Sequence, residues 1–396
     1  MDKGRFKYAA AGLGVMLLAG VVYAWSVLSV PIAAEFPDWT KAKLSLTFTI
    51  LMSCFCTGQV ISGFIANLIK PRTGVWIGAA LLLGGFLLSS SMQSAALLYL
   101  GFGVMCGLGS GIAYISVMNP VVKWYPEKKG LISGVLLMGF GFSSFLIGKV
   151  FQSFTPPEPG GWRGSFVVMG VVTFAVLFLC GFVIKKKPEE AGNPAAEQGL
   201  TTGQMLKKPN FWLYYFWAFA MTGAGLMIIG QASGIVSESV SGVTAASVAT
   251  IVGLISIFNG VGRVVFGGMY DKAGRRASMA VVCFCFIAAM ALAVGAVKFS
   301  SEAMIIASFC LLGLGYGGVP VCNSAFSASS FGMAHFQTNL PVCNSSMLPA
   351  SFCGTLAAMI YDGSHSYLMV FVVIAAMALA SLGASELITA IEKKGK

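Results

Sequence analysis

The chain has 396 residues, 57% of them hydrophobic and only 10% charged, with a mean hydropathy of +0.84. Soluble domains carry about 25% charge, so this composition excludes a soluble globular enzyme and predicts an integral membrane protein. The formal net charge of +11 then belongs to membrane topology and not to a nucleic-acid partner.

The first apolar run follows Lys3, Arg5 and Lys7 and covers about 8–34. It is too long for a signal-peptide core and lacks a clear cleavage site, so it reads as the first span. Further spans are predicted over 43–69, 72–91, 96–122, 129–152, 164–184, 210–238, 244–269, 276–298, 302–329, 335–360 and 365–391. Each is long enough, at about 1.5 Å per residue, to cross roughly 30 Å of hydrocarbon as a helix. The fold class expected is an all-α membrane protein of twelve transmembrane helices in two pseudo-symmetric six-helix bundles. The longest polar stretch, "KKKPEEAGNPAAEQGLTTGQMLKKPN", separates six helices from six. It divides the chain into an N-terminal bundle (1–184), a linker (185–209) and a C-terminal bundle (210–396).

Lys and Arg fix the orientation. Nineteen fall on the side of both termini and the linker, four (Lys41, Lys43, Arg163 and Lys298) on the other. By the positive-inside rule both termini are cytoplasmic, in a multi-pass protein of the plasma membrane, a bacterial inner membrane being the expected setting. "QMLKKPNFWLYYFW" (204–217) reads as an interfacial aromatic belt with basic anchors. All ten cysteines lie in apolar segments, as small buried hydrophobes do. No metal-ligand cluster, phosphate-binding loop or nucleophile motif is present, so neither a cofactor nor catalysis is expected.

The two halves echo each other. "GLGSG" (107–111) opens the fourth span and "GLGYG" (313–317) the tenth. Gly63 and Gly267 precede corresponding turns, after the second and eighth spans. Such internal repeats place a substrate site near the midplane. In "GGMYDKAGRR", Gly267, Asp271, Lys272, Gly274 and Arg276 match Gly-x-x-x-Asp-[Arg/Lys]-x-Gly-x-[Arg/Lys], which resembles the loop motif of the major facilitator superfamily. The Asp can cap a helix end and pair with basic residues, acting as a conformational latch. In the first-half copy Asn67 stands at the Asp position, so no charge-based latch is expected there.

A narrower resemblance covers "GLGSGIAYISVMNPVVKWYPEKKGLISGVLLMGFGFSS" (107–144) and "GVVYAWSVLSVPI" (20–32). These look like the fourth, fifth and first helices of the oxalate/formate antiporter family, itself related to the monocarboxylate porters. The latter also carry an arginine in the eighth helix, and here Arg263 is the only charge from Thr250 to Met269. It lies eight residues from Asp271, roughly 12 Å along a helix and near the midplane. A midplane arginine costs at least about 2.5–3.5 kcal/mol and cannot shed its proton. Every acidic residue falls in a loop or near a helix end, so a carried carboxylate is its natural counter-ion.

Two departures from the family refine the substrate. Members that carry a dicarboxylate use a lysine in the eleventh helix. The best-aligned triplet here is Ala350-Ser351-Phe352, and no Lys or Arg lies between Lys298 and Lys393. One central cation favours a monoanion. Lys149, near the outer end of the fifth helix, is expected to snorkel to the interface. Proton-coupled porters place an Asp one turn before their arginine. Asn259 stands there instead and takes up no proton, so antiport or facilitated diffusion is favoured over proton symport.

Further candidate wall residues at this depth are Tyr23, Trp25, Ser26, Tyr114, Tyr316, Asn323, Asn344, Met347 and Ser351. The expected activity is transport of a small organic anion of the formate, lactate or pyruvate class by alternating access around a central cavity. The partners are that carboxylate and the membrane lipids, and a monomer is expected. An exporter of drug-like compounds is the alternative on the same fold, and a membrane sensor or scaffold the alternative of another class.

Overall fold

The computed structural model describes residues 3–39, 41–156, 158, 160–186, 199–240 and 242–394, apart from a few side chains including Ser26. Among them, ten helices are long and apolar enough to cross a membrane. Contacts divide the chain into two units. One comprises 1–127, 139–198 and 336–341, the other 128–138, 199–335 and 342–396.

The first unit begins with α1 (Lys3–Ala19), a 3-10 turn (Gly20–Ala24) and α2 (Trp25–Glu35), which together form the expected first span with a bend. Then come α3 (Lys41–Ile65), α4 (Pro71–Ser90) and a run of α5 (Ala95–Leu98), a π-helical segment (Tyr99–Cys106) and α6 (Gly107–Lys123). The later part of α7 (Lys129–Phe154) and α8 (Gly161–Val183) complete it. Its core is aromatic: Phe86, Phe102 and Trp162 all pack on Phe166 with ring centroids 5.0–6.1 Å apart. At one end Arg163 ties three elements together. It pairs with Glu35 at 2.7 Å and donates to the Ser90 and Met92 carbonyls, while Trp162 Nε1 donates to the same carboxylate.

The second unit holds the start of α7 and α9 (Thr202–Leu206), whose Thr201 and Gln204 form a capping box. It continues with α10 (Pro209–Ile229), α11 (Ala232–Ser239), α12 (Ala245–Phe299) and α13 (Glu302–Ser330). The expected eighth and ninth spans are the two arms of α12. They meet at Gly274, whose φ of 78° and ψ of −178° only glycine adopts without strain. The expected eleventh span is broken into α14 (Phe336–Asn344), α15 (Met347–Ala350) and α16 (Cys353–Ser364). Pro341 lies inside α14, whereas Pro349 lacks the N–H that would reach the Ser345 carbonyl in a continuous helix, in keeping with the break at 345–346. α17 (Leu368–Lys394) closes the unit. Large apolar side chains such as Leu179, Val372 and Leu379 stay more than half exposed, a surface that a bilayer covers and water would not tolerate.

Candidate functional site

Arg263 sits in the first arm of α12, only 2% exposed, and makes no salt bridge among the described residues. Its Nε donates to Asn259 Oδ1, one turn earlier, at 3.2 Å. Its Nη1 donates to the main-chain carbonyl of Leu137 on α7. Nη2 makes no hydrogen bond among the described residues, so one prong of the guanidinium fork is left over. Both acceptors are neutral, so the formal charge is held by dipoles alone. For a buried cation that arrangement costs free energy unless an anion joins it.

Glycine brings α7 close enough to supply that carbonyl. A Cβ at Gly134 would overlap the Arg263 carbonyl, and one at Gly267 would overlap that of Gly130. Gly130 and Gly134 on α7 thus face Gly267 and Arg263 on α12 with matching four-residue spacing, a small-residue crossing that lets two backbones touch. On its other side α12 meets α13, where Gly317 lies against the Asn259 carbonyl. The spacing Gly130-x-x-x-Gly134 was visible in the sequence, yet its partner was not, and Leu137 acts through its backbone, which no residue pattern announces.

The loop-motif residues lie at the end of the same crossing. The Asp271 carboxylate accepts the backbone N–H groups of Gly130 and Leu131, both at 2.8 Å. It therefore caps the first turn of α7, where the N–H groups lack helical partners and the helix dipole favours a negative charge. Arg276 is bound to Glu386 of α17 through Nε and Nη2, the shorter contact 2.7 Å. Arg275 reaches Glu392 at 2.7 Å and Thr389 at 2.9 Å. Lys272 is exposed. The turn is thus one acid directed at α7 and two arginines directed at α17.

In the first-half copy an amide stands in for the carboxylate. Gln337, 6% exposed, donates to Asn67 Oδ1 at 2.8 Å and accepts from Asn119 Nδ2 at 3.0 Å. This neutral bridge ties the turn after α3 to α6 and the start of α14, all in the first unit. Gln337 was not singled out from the sequence, and the displaced Asn67 was the one available hint.

The other candidate residues separate into groups. In the first unit, Tyr23 and Tyr114 both set ring edges against Phe140, with centroids 5.5 Å apart in each case. Trp25 packs on Phe102 within the aromatic core, 5% exposed, and the Ser26 side chain lies outside the described residues. In the second unit, Asn323 accepts from Tyr214 at 2.6 Å and donates to Asn344 Oδ1 at 3.1 Å, a buried chain across α10, α13 and α14. Tyr316, 7% exposed, packs so closely on Gly225 that a Cβ there would strike its ring. Ser351 bonds to the Leu348 carbonyl at 2.7 Å, and Met347 is partly buried. Lys149 is exposed, as a snorkelling lysine is. Of these, Asn259 is the one hydrogen-bonded to Arg263 among the described residues.

Many apolar helices, two units and, among the described residues, a buried cation without an acidic partner fit a polytopic membrane protein. The chain matches the Major Facilitator Superfamily over residues 9–340 and belongs to that family; it is a secondary transporter, not an enzyme. It is 28% identical over 348 residues to the oxalate:formate antiporter of Oxalobacter formigenes, covering 83% of this chain and 79% of that protein. It is 30% identical over 263 residues to the uncharacterized MFS-type transporter YhjX of Escherichia coli (strain K12), covering 65% of this chain and 63% of that relative's length. Among solved structures, the MFS proton:xylose symporter XylE bound to 6-bromo-6-deoxy-D-glucose superposes with a TM-score of 0.78 at 13% identity, over 97% of this chain and 95% of that one. That last likeness concerns the fold alone.

Proposed function

We propose that this protein transports a small organic anion, a monocarboxylate of the formate, lactate or pyruvate class, by alternating access. Antiport or facilitated diffusion is favoured over proton symport, with both termini on the cytoplasmic side of the plasma membrane. The observation that carries the proposal is Arg263, buried to 2% exposure and hydrogen-bonded, among the described residues, to neutral oxygens. A carboxylate at its unused Nη2 supplies the missing negative charge through the fork geometry that arginine offers. The similarity to the oxalate:formate antiporter supports the carboxylate class. The lack of any Lys or Arg between Lys298 and Lys393 supports a monoanion over a dianion.

In this mechanism the anion displaces the Leu137 carbonyl from Arg263, exchanging a neutral acceptor for a charged one. That exchange frees α7 from the middle of α12, and the Asp271 cap on the first turn of α7 has to open for the same helix to move. An empty site returns Arg263 to Leu137, which favours exchange over net flux. Asn259 orients the guanidinium, and Tyr23, Tyr114, Tyr316, Asn323, Asn344, Met347 and Ser351 are assigned to the wall of the pathway. The test is exchange of labelled monocarboxylate in proteoliposomes. Arg263→Gln, which keeps a hydrogen-bonding side chain and removes the charge, should abolish exchange while the protein still purifies as a folded species. Wild-type exchange by that variant would refute the assignment.

A further inference from the structure

A second cationic feature lies well away from Arg263, where the lysine-bearing ends of α10 and α17 meet. A groove of about 640 Å³ is lined there by Lys208, Asn210, Thr389, Ile391, Glu392 and Lys393. Its acid is already committed, since Glu392 pairs with Arg275 at 2.7 Å, and the neighbouring Glu386 pairs with Arg276 at 2.7 Å. Lys208 and Lys393 are exposed and make no ion pair among the described residues. The groove is therefore positive on balance.

Three further observations narrow what it would take. α10 starts at Pro209 with no side-chain cap; Pro209 carries no N–H and the Phe211 N–H already meets the Lys208 carbonyl at 3.1 Å, so its positive dipole end and the Asn210 N–H are what the first turn offers an anion. Asn210 Oδ1 is buried with no hydrogen-bond partner among the described residues, and an acceptor left in that state calls for a donor from the ligand. The surroundings are apolar and outward-facing. Ile391 in the wall is 38% exposed, Leu387 one turn earlier 56%, and Trp212, whose Nε1 holds the Leu206 carbonyl at 2.8 Å, is 56% exposed. A free phosphate ester has no use for that apolar margin, whereas an acyl chain does.

We propose that this groove binds the headgroup of an acidic phospholipid that also carries hydroxyl groups, the chemistry of phosphatidylglycerol. The phosphate lies between Lys208, Lys393 and the start of α10, a headgroup hydroxyl donates to Asn210 Oδ1, and the acyl chains run along Ile391, Leu387 and Trp212. A zwitterionic headgroup would bring its ammonium against two lysines and bind less well. The site is independent of which substrate is carried.

The test measures lipid binding to the purified full chain by native mass spectrometry, with thermal midpoints in parallel. Phosphatidylglycerol should bind at least tenfold more tightly than phosphatidylcholine and raise the midpoint more. The Lys208→Gln/Lys393→Gln double variant should lose that preference, whereas Lys298→Gln, in the last turn of α12, should keep it. Asn210→Asp, of the same shape with an added negative charge, should lose it too. Each variant's midpoint in phosphatidylcholine shows whether it is folded. Equal binding of the two lipids, or an unchanged preference in the double variant, overturns the proposal. An equal midpoint shift from soluble glycerol 3-phosphate at matched concentration would assign the groove to a free phosphate ester and overturn the lipid reading.

Discussion

Asp271→Asn isolates the cap on α7 without altering side-chain shape. The carboxylate accepts two N–H groups, from Gly130 and Leu131, each at 2.8 Å. Asparagine keeps one carbonyl acceptor and turns its NH₂ towards the other N–H, so one hydrogen bond and the negative charge are lost together. A hydrogen bond to a charged group contributes about 1.5–3 kcal/mol, and the helix-dipole part about 0.3–1 kcal/mol. Asp271 is exposed, so solvent screening moves the sum to the low end, about 1.5–2 kcal/mol. At about 1.4 kcal/mol per tenfold, local opening of the first turn of α7 becomes roughly ten- to thirtyfold more frequent. Hydrogen–deuterium exchange on peptides spanning 128–138 reads this directly, as faster exchange at Gly130 and Leu131 with little change in α8. Protection within twofold of wild type at those two amides would refute the capping argument.

Two other substitutions probe the neighbouring contacts. Asn259→Asp puts a carboxylate where Asn259 Oδ1 now meets Arg263 Nε at 3.2 Å. A carboxylate beside the guanidinium acts as an internal counter-ion, so KM for the carried anion should rise at least tenfold in exchange assays. An unchanged KM would contradict the competition. Gln337→Leu removes both bonds of the amide bridge and strands the buried Asn119, while the exposed Asn67 turns to water. The cost expected is about 1–3 kcal/mol, seen as a lower thermal midpoint in detergent; an unshifted midpoint would show the bridge to be dispensable.

Much of this was readable in the chain because membrane physics writes large signals. Long apolar runs and asymmetric lysines announce spans. The sequence placed a break near Gly274, and the structure shows why glycine stands there, at a positive φ. Arg263 was conspicuous because one charge in an apolar stretch has a cost that needs a reason. What stayed hidden depends on pairing between distant segments. Leu137 serves through a carbonyl, Gln337 replaces an ion pair by amides, and Asn323 is occupied by Tyr214 in a buried chain. Periodicity along one helix does not say which neighbour will receive a polar group. The expected continuous eleventh span was interrupted at 345–346 beside a visible local signal, Pro349, but overall apolarity outweighed it in drawing the boundary.

The central claim is that a single buried guanidinium takes its counter-ion from the cargo, and equilibrium binding to purified protein tests it most directly. Formate, acetate, lactate, pyruvate, oxalate and malate should be titrated against wild type and Arg263→Gln. One compensating charge predicts saturable binding of one or more monocarboxylates, weakened at least tenfold in Arg263→Gln, with the dicarboxylates bound no better than the monocarboxylates. Binding of oxalate or malate without any monocarboxylate, or equal affinities in the two proteins, would contradict it.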